Sequence, residues 1–483
     1  MVGNKIQIDK KKLVLLAYVA MLSSIGFAIL VFGSQGTSDP SKTLSGLSKS
    51  LTSQDIQRRM SMGERILVTA DNSPDKQAAT KAFASRDYTK AVELLNSSLQ
   101  LNRNDPEAWI YMNNAQAAER GDSIAISAVV PIGGNLNIAK EILRGVAQAQ
   151  HQINQKGGIG GRLIQVQIAN DENDPEVAKK IAEQLVKKRQ ILAVIGHNAS
   201  DASIAAAPIY QAGGLVAISP TSSANELSGI GSYLFRTTPS VRVTAETLAQ
   251  YTVKTARKSK IAICADSTDK ASASFKEEFI WAAVAAGGQV TDTSCDFANA
   301  DFNATEIPSK AISDGADALV LAPSIKKINQ AIDVAQANQN RLAMFGNQTM
   351  YAFETLKQGQ TNVNGMVLAV AWHPAANGDQ TYLKNARNLW GGMGNWRMAT
   401  AYDATEVAIA GLKSEPKRDA LQKALSNSGF SFKGATGEIR FLPSGDRYGT
   451  AVLVKIQPGK TSDTGYDFAI LKPAVSGQLP VNR

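Results

Sequence analysis

The sequence predicts an α/β protein with two doubly wound parallel-sheet units in series, preceded by an apolar transmembrane helix and a short α-helical repeat. Three observations predict it. From Ser123 onward, strands of β-branched and apolar residues alternate with helical patterns, and the alternation resumes after Arg257. Leu13 to Gly33 is an unbroken stretch without a charge. Between them, residues 78–101 space their apolar side chains at three and four.

With 483 residues the chain is long enough for about three domains. Its 44% hydrophobic and 19% charged residues are ordinary for a globular protein with a sizeable core. The net charge of +9 is spread thinly once Lys5, Lys10, Lys11 and Lys12 are set aside. No tract of like charge interleaves with aromatics, so nucleic acid is excluded as a partner.

The run LVLLAYVAMLSSIGFAILVFG covers about 31 Å at about 1.5 Å per residue, the thickness of a bilayer core. No Ala-x-Ala cleavage site follows closely, and no cysteine follows that could be lipidated. The expectation is an uncleaved signal anchor at residues 13–33, with residues 1–12 held in the cytoplasm by their lysines. The protein is then a single-pass cell-membrane protein with its C-terminal bulk in the periplasm; cleavage is the open alternative. Residues 34–75, opening on SQGTSDPSK, read as a linker running into a helical stretch.

In residues 76–120, Ala82, Phe83, Tyr88, Ala91, Val92, Leu95 and Leu99 recur at helical spacing. Asp87-Tyr88 marks a turn, and a third helix is expected from Pro106. The stretch YTKAVELLNSSLQLNRNDPEAW resembles a tetratricopeptide repeat, with Tyr88, Ala91, Leu99 and Trp109 at matching spacings and Arg103 where proline is usual. One repeat and the first helix of another are too few to stand alone, so the segment is expected to pack on its neighbour or a second subunit. It either binds a protein partner or acts as a spacer.

The first α/β unit runs through strands SIAISAVVPI, RLIQVQIAND, ILAVIGH and LVAISP, with helices between. The second has strands KIAICAD, QVTDTSCDF, ALVLAP and RLAMFGN. A long helix is expected at Thr400–Leu412, with strands near GEIRFLP and TAVLVKIQP. The glycines Gly157, Gly158, Gly160 and Gly161 follow a helix and precede a strand, the reverse of a phosphate loop, and read as a turn. Cys264 and Cys295 sit near the ends of neighbouring strands; they either bridge or remain buried thiols, with buried thiols the first expectation.

Ligands of open parallel sheets sit beyond the strands' carboxyl ends. Asn198 and Ser200 follow one strand, Ser222 and Ser223 the next, Ser267 to Lys270 follow KIAICAD, and Gln348 follows RLAMFGN. Each such residue can be a helix cap; together they describe a site in which unpaired N–H groups suit an anion. No nucleophile–base pair is apparent. His151, His197 and His373 lie in no catalytic pattern and make no metal cluster, so neither an enzyme nor a cofactor or metal is expected.

The segments INQKGGIGGRLIQVQIANDENDPEVAKKIAEQLV and AVIGHNASDASIAAAPIYQAGGLVAISPTSSANEL, with YDA at Tyr402–Ala404 and GATGEIRFLPSGDR, resemble the periplasmic solute-binding proteins of branched-chain amino-acid ABC importers. The resemblance covers about Ile124 to Pro473. It implies two lobes joined by three crossovers, closing on a ligand by hinge motion: lobe 1 over 121–240, lobe 2 over 241–370, a return to lobe 1 over 371–433, final strands mainly in lobe 2 over 434–472, and a tail at 473–483. It also implies that Ser200 holds a ligand carboxylate and that the Ser222–Ser223 loop meets the ammonium group. The second lobe departs from the family. Lys270 stands at an aromatic position and Gln348 at the position of the acid that neutralises the ammonium. An ammonium buried without a counter-charge is costly. An acidic amino acid, an amide or another organic anion therefore fits as well as an aliphatic amino acid. The expected function is a tethered receptor delivering a small polar ligand to ABC permease subunits, with a sensor or scaffold acting through the helical repeat as the alternative.

Overall fold

The computed structural model describes residues 51–376, 380–392 and 394–471. The segments predicted at 1–12, 13–33 and 473–483 lie outside them. Among the described residues no helix is long and apolar enough to cross a membrane.

The later part of the supposed linker is structured. Helix α1 (Ser53–Arg58) begins at a reciprocal cap in which Thr52 and Asp55 bond each other's side chains and N–H groups. Strand β1 (Met60–Ser61) follows. Ile56 and Met60 are buried among apolar residues of the first α/β unit. Two apolar anchors in a polar stretch leave too weak a period to read, and only the packing shows them.

Helices α2 (Pro74–Ala84), α3 (Tyr88–Leu101) and α4 (Pro106–Arg120) come next. Ser73, Asp87 and Asp105 each cap a first turn by accepting a backbone N–H, and α2 and α4 carry proline where no N–H is needed. Inside the layer, Lys76 Nζ lies 2.6 Å from Asp105 and 2.8 Å from Glu107, all three buried. Glu107 also accepts the Leu67 N–H at 2.7 Å and the Tyr111 hydroxyl at 2.9 Å. Asn114 on α4 accepts the Val166 N–H at 2.8 Å and donates to the Val166 carbonyl at 2.8 Å, which fastens the helices to the first α/β unit.

That unit contains β2 (Ser123–Val130), α5 (Leu136–Gln155), β3 (Leu163–Asn170), α6 (Pro175–Lys187), β4 (Ile191–Ile195), α7 (Ser200–Gly213), β5 (Val216–Ser219) and β6 (Leu234–Arg236). Its sheet order is β1-β3-β2-β4-β5-β6, parallel except for β1. The strands are buried on both faces, so they read as continuous apolar runs. Between α5 and β3 the glycine cluster forms the expected turn. Gly158 has φ +80°, and a Cβ there would stand 1.9 Å from the Arg162 carbonyl oxygen, so the turn requires glycine.

The second unit contains α8 (Val241–Gln250), β7 (Lys260–Ala265), α9 (Lys270–Ala285), β8 (Gln289–Val290), α10 (Ile307–Ser313), β9 (Ala318–Ala322), α11 (Ile328–Asn338), β10 (Ala343–Gly346), α12 (Phe353–Gly359) and β11 (Val367–Val370). The chain then returns through α13 (Gln380–Trp390), α14 (Trp396–Leu412), α15 (Arg418–Ser426) and a hairpin of β12 (Phe432–Gly434) and β13 (Gly437–Ile439). Strands β14 (Val452–Pro458) and β15 (Tyr466–Ile470) complete the second sheet, ordered β15-β14-β11-β10-β9-β7-β8. Asp403 on α14 accepts the N–H groups of Ala435 at 2.6 Å and Thr436 at 3.1 Å. The YDA and GATGEIRF motifs, distant in sequence, therefore form one fastening.

Two expectations are corrected here. QVTDTSCDF forms a strand only at β8; beyond it the chain returns to the sheet at a single bridge, Ala265 with Asp296. Its Thr and Ser residues supply no row of apolar side chains to bury. Cys264 and Cys295 form a disulfide rather than two thiols, because β7 and the irregular stretch bring their Cα atoms to 4.6 Å.

Lys76→Met leaves two buried carboxylates without their cation and is expected to cost about 3–5 kcal/mol in denaturant unfolding. Reducing the disulfide, with a sequence separation of 31, is expected to cost about 2–4 kcal/mol by release of the closed loop, read as a lowered melting temperature.

Candidate ligand-binding cleft

The carboxyl ends of the two sheets face each other across a cleft. Walls from both units and from the start of α14 surround about 580 Å³ of empty space, part of it open to solvent.

On the first wall, the opening turn of α7 presents N–H groups at Ser200 with no side-chain cap over them. Ser200 Oγ accepts the Ser223 N–H at 3.1 Å and the Ala224 N–H at 3.2 Å. With its lone pairs so engaged, its hydroxyl proton is left to donate into the cleft. Asn198 lines the same wall, with Nδ2 donating to Asn173 at 3.1 Å. His197 behind it is buried between Asp171 at 2.7 Å and the Tyr210 hydroxyl at 2.9 Å, a structural pairing.

On the second wall, Asp269 caps α9 by accepting the Ser272 N–H at 2.8 Å, and it lines the cleft. Burial lifts its carboxyl to about 6, and the nearby charges of Asp201 and Asp266 push the same way. Gln348 is buried in this wall and its Oε1 has no hydrogen-bond partner. From the hinge side, α14 contributes Trp396 and Arg397, each 2% exposed. The Arg397 guanidinium stacks on the Trp396 ring at 4.6 Å and lies 3.4 Å from Glu141 of α5 and 3.3 Å from the Tyr351 carbonyl. Burial raises the Glu141 carboxyl, and Arg397 opposes that rise.

Of the six residues singled out in the sequence, Asn198, Ser200, Ser223 and Gln348 line this one space. Two do not. Ser222 Oγ faces inward, 2.8 Å from Ser203 Oγ and within 3.2 Å of the His197 and Asn198 carbonyls, tying the two loops together. Lys270 turns out to the rim, half exposed, 3.3 Å from Glu226. Asp269 is the extended cap residue and Lys270 the first residue of the helix, so their side chains leave in different directions, Asp269 into the cleft and Lys270 away from it. The cap preference for aspartate masked Asp269 in the sequence. A Trp-Arg pair at the start of a helix rich in alanine was the available signal for Trp396 and Arg397.

The lobes meet at the rim. Asn225 Nδ2 donates to Glu278 at 2.7 Å, the Lys270 N–H donates to Asp201 at 3.2 Å, and Asn137 donates to Glu354 at 2.9 Å. Two α/β lobes closed over a polar, mostly buried cleft define a ligand-enclosing binding protein. A family model described as periplasmic binding protein matches residues 123–460, and the chain belongs to that family. Its homologues in that family are solute-binding proteins and not enzymes, and the family implies an extracytoplasmic location. An amino acid binding protein of Pseudomonas aeruginosa is 35% identical over 105 residues, 22% of this chain and 28% of that protein. The Leu/Ile/Val-binding protein of Escherichia coli is 36% identical over 123 residues, 25% of this chain and 33% of that one. The chain thus aligns with about a third of the length of these relatives. Among solved structures, the isoleucine complex of a branched-chain amino acid transporter substrate binding protein from Streptococcus pneumoniae shares the fold, with TM-score 0.65 at 19% identity over 73% of this chain and 100% of that one. A leucine binding protein of Thermotoga maritima gives 0.64 at 20% identity over 72% and 99%.

A carboxyl that titrates near 6 when folded and near 3.9 when unfolded binds its proton more tightly in the folded state. Its contribution to stability is full below about pH 4 and is lost as pH rises through about 6. Asp269→Asn keeps the helix cap and removes the charge. It is expected to raise stability by up to about 2 kcal/mol at pH 7–8 and to give no gain at pH 4, in melting curves of the ligand-free protein.

Proposed function

We propose that this protein is a membrane-tethered extracytoplasmic receptor that closes its lobes around a small polar ligand, an amino acid, an amide or an organic anion, for delivery to an ABC permease. The observation that carries this reading is the opening turn of α7, whose free N–H groups and Ser200 hydroxyl face a closed cleft and suit a carboxylate. Asn198, Ser223 and Gln348 supply further polar contacts around it. The names of the relatives, which bind amino acids, support the same ligand class. The uncharged run Leu13–Gly33 behind its lysines supports a single-pass tether, with the bulk of the chain in the periplasm. The capped helices α2, α3 and α4 and the spacing of Tyr88, Ala91, Leu99 and Trp109 support a tetratricopeptide-like module.

A second reading, a sensor or scaffold acting through that module, has one observation in its favour. Lys140 on α5 lies 2.7 Å from Asp71, and Arg144 donates to Asn104 at 2.8 Å. The neighbouring Glu141 meets Arg397 in the cleft. One helix therefore touches both the ligand space and the helical module, and a partner protein there would feel lobe closure.

The test is a melting-temperature screen of the full chain in detergent against amino acids, amides, ureas and small carboxylates. A ligand at about 100 times its Kd is expected to add about 2.7 kcal/mol. Ser200→Ala is expected to weaken binding about 10- to 100-fold, as removal of one hydrogen bond to a charged group does. A panel in which no compound shifts the protein would overturn the receptor reading.

A further inference from the structure

Four features of the cleft remain unused once a ligand carboxylate is placed at Ser200. Asp269 offers a partly buried carboxylate in the second wall. Gln348 Oε1 is a buried acceptor without a donor. The Trp396 Nε1–H is a buried donor without an acceptor. Beside it, Arg397 spends only Nη1 on Glu141 and the Tyr351 carbonyl, both at the long end of hydrogen-bond range. Among the described residues no acceptor takes its Nε or Nη2.

Buried polar groups left unpaired each cost about 1–3 kcal/mol, and more when charged. An aliphatic side chain closed against Trp396 and Arg397 would leave the Trp396 N–H without an acceptor and seal the open guanidinium nitrogens away from water. A side chain ending in oxygen would remove that cost, since the flat guanidinium fork matches a carboxyl group. The polarity is also ordered in space. Asp269 lines both the cleft and an adjoining depression that Asp201 and Lys326 also line, whereas Arg397 lies against Glu141 of α5 and the Tyr351 carbonyl in the turn before α12.

We propose, resting on the receptor reading above, that the cleft takes an α-amino acid whose side chain ends in a carboxyl or carboxamide group, of the glutamate or glutamine kind. Asp269 and Gln348 Oε1 meet the ammonium, and Arg397 and Trp396 hold the distal oxygen. Asp269 thereby supplies the counter-charge that Gln348 lacks, from the cap of a different helix. Arg397 and Trp396 set the specificity.

Calorimetric titration of the full chain in detergent with glutamate, glutamine, leucine, isoleucine and glutarate tests this. Glutamate or glutamine is expected to bind at least about 100-fold more tightly than leucine or isoleucine, because a site built to bond a polar group rejects the analogue that lacks it. Arg397→Gln is expected to cost glutamate about tenfold or more. Asp269→Asn is expected to weaken glutamate about tenfold and not to weaken glutarate, which has no ammonium and only gains from loss of a like charge. Should Arg397→Gln fail to fold, the wild-type ranking and Asp269→Asn decide alone. Leucine or isoleucine binding as tightly as glutamate would overturn the assignment and leave the receptor reading standing. Binding of none of the five at any concentration up to millimolar would also overturn the assignment, while the receptor reading stands or falls with the wider melting-temperature panel.

Discussion

The cleft depends on how closely two helices approach. At Gly145 of α5 an added Cβ would stand 2.3 Å from the Met398 carbonyl oxygen and 2.7 Å from the Tyr402 nitrogen of α14. The two helices touch backbone to backbone, and only a residue without a side chain allows it. That contact sets the position of α14. Its first turn then delivers Trp396 and Arg397 to the hinge side of the cleft, opposite Glu141 one turn before Gly145. Further along, Asp403 grips the β12–β13 hairpin, after which the chain crosses to β14. A single steric constraint therefore joins the return of the chain, the floor of the cleft and its one buried guanidinium.

Closure relies on weaker contacts. The rim is held by hydrogen bonds and by the partly exposed pair Lys270–Glu226. Exposed pairs of this kind contribute about 0–1 kcal/mol. Lobes joined so lightly can reopen, whereas the groups inside the cleft are buried and partly unpaired. The energetic weight of closure thus falls on what occupies the space. Asp269 shows the same division: its charge is costly in the empty folded protein and becomes favourable beside a cation.

Legibility in the sequence followed distance along the chain. Asn198, Ser200 and Ser223 were readable because each follows its strand directly, and a parallel sheet sends such positions to one edge. Lys270 was misplaced because alignment reached the right helix start but not its phase. Position 269 looked like an ordinary cap, and it serves as both cap and wall. Ser222 was the right loop with the wrong direction, since its hydroxyl closes a contact between loops. Residues 53–61 were hidden by their polar neighbours, and the stretch after β8 by an alternation that buries nothing.

Local pattern carries the two α/β units, the alternation of strands and helices within them and the turn at Gly158, because periodicity, caps and glycine requirements are local. Only the tertiary structure decided that Cys264 bonds Cys295, that the helical segment is fastened to the first unit through Asn114, and that Arg397 meets Glu141. These are contacts between residues dozens to hundreds of positions apart. Their existence depends on helix phase and on the closeness of packing, which no local pattern encodes.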